Sequence, residues 1–269
     1  MLARVARGYL QAGGWLGRAR AAAHGVATGF FARALSLEEQ GQVSIAIYQA
    51  AAGRRPARAL AAWEIAWFER RLPAPPARIL VAAAGEGPEV RHLVERGHRV
   101  DAFEPAPGAA LRCRGVIGAG EVHVARYEDL TRAILDGEGN GAAPLRGRRY
   151  DAILLGWGSL SHVLDADERR RVLAACTLLS PSGPILASFL TSEANRALDL
   201  GASAGRLLAA PVAHLRHQSS APPAEATAFG AWFGFIHLFA PFEMRQLADS
   251  VGRRLLDDDA TSYPHATLV

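Results

Sequence analysis

The sequence predicts an α/β fold, a doubly wound sheet of mostly parallel strands preceded by a helical extension. Three observations predict it. From residue 78 onward, short apolar runs alternate with stretches of helical periodicity. The first run, "ILVAAA" (79–84), enters the glycine turn "GEGP" directly, and a helix-like stretch follows. A proline-rich segment, "LPAPPA" (72–77), separates this alternating region from an N-terminal part where only helices are legible.

The elements follow in order. The start, "MLARVARGYLQAGGWLGRARAAAHG", is basic, with apolar stretches interrupted by Arg and Gly. It reads as an amphipathic helix that covers the domain in preference to lying on a membrane surface, and it lacks the compact apolar region of a signal peptide. Ser36 and Glu39 have capping-box spacing, so a helix spans 36–52 and stops at Gly53. Leu60, Trp63, Ala66 and Trp67 share a helical face within 57–71. After the prolines come strand 78–83, helix 88–96, strand 99–104, helix 106–113, strand 121–125 and helix 128–136. A polar, glycine-rich loop (137–149) leads to strand 150–156. Asp165 and Glu168 open a helix over 165–180, and strand 184–190 follows. Residues 193–210 read as helix and 211–230 as a long loop. Strands 233–239 and 266–269 flank a helix at 241–251, and are expected to pair like a hairpin at one sheet edge. The expected division is a helical extension, 1–74, with 36–71 as a lid, and a ligand-binding domain, 75–269.

Composition narrows the function classes. Half of the 269 residues are apolar, enough for a sizeable core. Cys113 and Cys176 form no CxxC and no metal spacing, which favours a reduced, cytoplasmic protein without a metal centre. The 30 basic residues are all Arg, for a net charge of +4. Runs such as "RGRRY" (146–150) and "ERRRV" (168–172) are scattered and not interleaved with aromatics, which argues against a nucleic-acid partner. No apolar run approaches the roughly 18–20 residues of a membrane span, so stable membrane insertion is not expected.

The glycine turn asks for a ligand. Ligands of open α/β sheets bind beyond the carboxyl ends of the strands, and Gly85 and Gly87 let the backbone approach one closely. Glu104 ends the second strand, where a carboxylate accepts hydrogen bonds from both ribose hydroxyls of a nucleoside. Two nucleoside ligands compete. A dinucleotide wants G-x-G-x-x-G or A, but Val90 holds the third position, and Glu86 and Glu89 flank the anion site. A pyrophosphate near such a carboxylate meets a repulsion of about 1–4 kcal/mol. S-adenosylmethionine carries no phosphate and two positive groups, so the loop favours it.

At these residues the chain resembles the class I S-adenosylmethionine-dependent methyltransferases. "ILVAAAGEG" resembles their first motif, "VDAFEP" their acidic second-strand end, "RYDAILLGWGSLSHV" their fourth-strand motif, and "LLSPSGPILASF" the turn and fifth strand after it. The resemblance covers about 75–269. It implies a Rossmann-like seven-stranded sheet, parallel except for the last strand, S-adenosylmethionine as cofactor, and a methyltransferase domain over 75–269. It implies cofactor roles for Ala83, Gly85, Glu86, Gly87, Glu104 and Pro105, and for Gly156, Trp157 and Gly158 beside the methionine part. There are departures: Val81 stands where the family often has an acid, and Ala83 where it has its first glycine. In "ARYEDL", Tyr127 stacks on adenine or packs inside, and Glu128 accepts from the adenine amino group or caps the next helix.

Methyl transfer is an in-line displacement that rests on alignment and exclusion of water, with a base needed chiefly for hydroxyls and protonated amines. His162, in "GSLSHV", is the candidate catalytic base, and Tyr48, Trp63 and His237 are candidate substrate-binding residues. The "D/N-P-P-F/Y" signature of nucleobase and amide methylation is replaced by "GWGS", which favours a small-molecule acceptor at O or N. The competing readings are a nicotinamide-dependent oxidoreductase and a binding protein that keeps the fold without catalysis.

Overall fold

The computed structural model describes residues 2–54, 58–139, 141–191, 196–217, 227–230, 232–259 and 264–269. Three helices come first: α1 (Leu2–Ala34), α2 (Leu37–Ala51) and α3 (Ala62–Arg71). The alternating region then runs β1 (Arg78–Ala82), α4 (Pro88–Glu95), β2 (Arg99–Phe103), α5 (Pro107–Arg114), β3 (Val122–His123), α6 (Tyr127–Thr131), β4 (Ala152–Leu155), α7 (Ala166–Leu179) and β5 (Ile185–Ser188). A widened helical turn over Arg132–Asp136 continues α6. An insertion follows, with α8 (Arg196–His217), β6 (Thr227–Gly230) and β7 (Gly234–His237). The chain ends in α9 (Glu243–Ser250), β8 (Leu255–Asp259) and β9 (His265–Leu268).

Seven strands make the main sheet in the order β3-β2-β1-β4-β5-β9-β8. The first five pair in parallel, and β9 runs antiparallel to both of its neighbours, β5 and β8. The expected sheet is therefore present. Its central strands are apolar on both faces because helices cover both. Leu80, Phe103, Leu155 and Leu173 pack on one face, under α6, α7 and α9. Ile79, Val81, Leu93, Trp67 and Phe68 pack on the other, under α3, α4 and α5. The period-2 alternation of Ile79, Leu80 and Val81 assigns each side chain to its face.

Several boundaries differ from the sequence reading. The helix expected from 57 begins at Ala62, where Glu64 reaches back to the Ala61 N–H (2.8 Å). Residues 211–217 continue α8 through Pro211 in place of a loop, and 218–226 lie outside the described residues. The strand expected over 233–239 does not close the main sheet. It pairs as β7 with β6 in a separate two-stranded sheet, where Phe229 lies 4.6 Å from Phe235. The partner of β9 is instead β8, "LLDDD", whose three aspartates carry low strand propensity and hid it.

The covering helix expected at the N-terminus packs chiefly on α8, not on the main sheet. The approach needs glycine: a Cβ on Gly29 would lie 1.9 Å from the Ala202 carbonyl oxygen, and one on Gly205 2.0 Å from that of Val26. α3 is part of the domain core. Trp67 is fully buried and donates its indole N–H to Thr267 on β9 (2.9 Å).

Candidate functional site

The strand order reverses between β1 and β4, which opens a crevice at their carboxyl ends. Ala82 pairs with Phe103 on one side and Leu155 on the other, so the next residues, Ala83, Glu104 and Gly156, stand level at the rim. Two of the rim residues are strained. Ala83 (φ 47°) and Trp157 (φ 48°) lie in the left-handed region without being glycine. Such positions cost about 1–3 kcal/mol each and persist only where the surroundings impose them.

Glu104 organises the turn. Its carboxylate accepts from the Gly85 N–H (2.8 Å) and the Ala106 N–H (2.9 Å), bridging Pro105. It is only 4% exposed, and burial pushes its carboxyl up to about 7 against the pull of those two N–H groups. Gly85 (φ 57°) has an open side, with no protein atom within 4 Å of the place a Cβ would take. Gly87 (φ 89°) starts α4 and presses on Cys113 and Val116.

The two acids that flank these glycines have separate partners. Glu86 accepts from the Gly53 N–H at the end of α2 (2.7 Å) and pairs with Arg112 (2.9 Å). Its carboxylate thus ties α2 to the glycine turn. Glu89 is buried against Arg58, which also holds the buried Glu64 (3.0 Å). Burial raises the Glu89 carboxyl above the ordinary range, and the Arg58 guanidinium opposes the shift. Arg58 lies 4.0 Å from the ring centroid of Trp157, which is 47% exposed. Glu89 also touches the end of β4: a Cβ on Gly156 would meet its Oε1 at 3.3 Å.

α2 crosses the carboxyl ends of β1 to β4 and is fastened beside each. Beyond Gly53, Gln49 accepts from the Gly108 N–H (2.7 Å), and Glu38 pairs with Arg126 after β3 (2.7 Å). Ser44 accepts from the Phe235 N–H (2.9 Å) on β7. Tyr48 meets His162 after β4, its hydroxyl 3.2 Å from Nε2. Burial pulls the His162 pKa down to about 4, and the nearby Phe235 backbone only partly offsets it. His162 is therefore neutral at physiological pH.

The loop bearing His162 is pinned from β5: Ser188 accepts from the Gly158 N–H (2.6 Å), and Ser161 accepts from the Leu190 N–H (2.9 Å). Four other candidates lie elsewhere. Tyr127 packs its ring edge on Phe103 in the core, its hydroxyl 2.8 Å from Ser159, so it is not turned out to stack on a ligand. Glu128 pairs with Arg126 (3.2 Å), and the helix start it was expected to cap is held by Asp129. His237 is buried, 2.8 Å from Glu243, which also binds Arg169 (3.1 Å). Trp63 stacks on His265 of β9 (4.9 Å between centroids), so it builds the core beside Trp67 and does not line the crevice. Sequence reasoning missed Arg58, Ser44 and Arg126, each of which has a partner 31 or more positions away.

No protein-family model matches the chain, and no curated protein does. Solved structures do match. A DhpI–SAM–HEP complex superposes with a TM-score of 0.55 at 19% identity, over 85% of this chain and 96% of that one. The 1,6-didemethyltoxoflavin-N1-methyltransferase of Burkholderia thailandensis, with bound 1,6-didemethyltoxoflavin and S-adenosylhomocysteine, gives 0.52 at 16%, over 87% and 89%. Strand order, the antiparallel β9 and these similarities agree: the chain has the fold of the class I S-adenosylmethionine-dependent methyltransferases.

Proposed function

We infer that this protein is an S-adenosylmethionine-dependent methyltransferase acting on a small-molecule acceptor at O or N. The observation that carries the reading is Glu104, a buried carboxylate at the end of β2 that shapes the glycine turn and keeps lone pairs for two ribose hydroxyls. Gly85, open on one side, is the place where backbone meets cofactor. At the β4 end, Glu64 and Glu89 share the single guanidinium of Arg58. Two carboxyl groups against one guanidinium suit a cationic cofactor and oppose a pyrophosphate. The similar structures named above, one a complex with SAM and one with S-adenosylhomocysteine and 1,6-didemethyltoxoflavin, support the same cofactor and acceptor class.

When bound, S-adenosylmethionine supplies a methyl group already activated on a sulfonium. The chain's task is then to align the acceptor, exclude water and take up a proton. α2 serves as the cover, and Tyr48, His162 and the β7 backbone converge as the acceptor wall. His162, neutral and 3.2 Å from the Tyr48 hydroxyl, takes the proton of an acceptor hydroxyl or ammonium, while Tyr48 orients it. Trp157 and the Arg58–Glu89 pair close the methionine end. The test offers S-adenosylmethionine with a panel of phenols, alcohols and amines, and follows S-adenosylhomocysteine release with a matching methylated product. Release with no acceptor methylated, or no binding of either nucleoside, contradicts the reading.

A further inference from the structure

The outer face of the α1–α8 pair is apolar where a surface helix should be polar. Leu200, Leu207, Leu208, Val212 and Leu215 are all exposed, Leu207 at 76% and Leu215 at 79%. Their spacing sets them on one side of α8, next to the stripe through which Gly201 and Gly205 press on α1. Trp15, 65% exposed, and Leu16 add to the apolar surface on α1. Soluble proteins scatter such residues singly; a continuous stripe marks a docking face.

Charge says what docks there. α1 has five arginines and no acid, and α8 has three arginines and one aspartate, so the pair carries +5 and +2, or +7. The whole chain carries +4, which leaves the remainder at −3. Over the described side chains, 15–34 and 200–215, Arg18, Arg20, Arg33 and Arg206 face no acid of either helix. An arginine-rich helix pair with leucine and tryptophan outward matches an anionic lipid surface. Among the described residues no helix is long and apolar enough to cross a membrane, so the contact is peripheral.

We propose that the α1–α8 face docks the protein on anionic phospholipid bilayers. The proposal does not depend on methyl transfer and is read without cofactor or acceptor. The full chain is sedimented with vesicles of phosphatidylcholine alone or with an equal part of phosphatidylglycerol. Binding to the anionic vesicles should be at least about tenfold stronger and should fall in about 0.5 M salt. The double variant Leu207→Glu/Leu215→Glu, at two exposed positions, should melt like the parent and lose the binding. Equal retention on both vesicles, no retention, or undiminished binding by the variant overturns the proposal. So does a concentration-dependent dimer in light scattering that the variant abolishes while vesicles bind neither protein, since the face then belongs to a second copy.

Discussion

Replacing Glu104 by Gln changes one heavy atom and should weaken cofactor binding and flatten the pH dependence of both affinity and stability, at the cost of one backbone hydrogen bond to the turn. In the parent, both carboxylate oxygens accept backbone N–H bonds, and burial has raised the group to about 7. Ribose hydroxyls donate to the ionised form. Hydrogen bonds to a charged group are worth about 1.5–3 kcal/mol, so the variant should bind S-adenosylhomocysteine about 10- to 100-fold more weakly near pH 8. The parent should also lose about tenfold between about pH 8 and 6, because only about a tenth of Glu104 remains ionised at the lower pH. The variant should be flat across that range. The pH dependence of the parent's stability has the opposite sign. The folded pKa lies above the unfolded one, so the parent's contribution is complete below about pH 4.5 and is lost as pH rises through about 7. That loss is on the order of 3 kcal/mol, and the variant should not show it. Calorimetric titration and urea unfolding at both pH values read the two effects. A folded variant with an unchanged dissociation constant, beside a parent whose affinity ignores pH, would refute the reasoning.

His162→Gln should lower turnover by about 10²- to 10⁴-fold and leave S-adenosylhomocysteine affinity alone; comparable loss of both would make the residue structural. Because His162 stays neutral down to about pH 4, turnover should show no decline near pH 6.5 from this group. Ala83→Gly should relieve the left-handed strain and stabilise by about 1 kcal/mol, raising Tm by about 2–4 °C in differential scanning calorimetry. Trp67→Ala should cost about 3–5 kcal/mol in urea unfolding, because α3 belongs to the core of the sheet and not to a detachable extension.

What was legible in the sequence was local or periodic. The Ser36–Glu39 box starts α2 where the spacing said, because both groups bond within one turn. β1, the glycine turn and Glu104 were readable because strand, turn and strand end lie within 27 residues and report one backbone geometry. The acids beside the glycines were legible as anomalies, but their partners were not: Glu86 bonds Gly53 and Arg112, and Glu89 bonds Arg58, contacts made only when the residues after α2 and those of α5 come together at the turn. His237 looked like a site residue because it interrupts an apolar strand. Glu243, on the next helix, satisfies it instead. Trp63 had the spacing of a core residue, and the core is where His265 holds it.

The central claim is the identity of the cofactor. Titrating the full-length protein at about pH 8, where Glu104 is ionised, with S-adenosylhomocysteine and separately with NAD tests it most directly. Saturable one-to-one binding of S-adenosylhomocysteine and none of NAD is the predicted result. Tight binding of NAD, with no heat from S-adenosylhomocysteine, would contradict it.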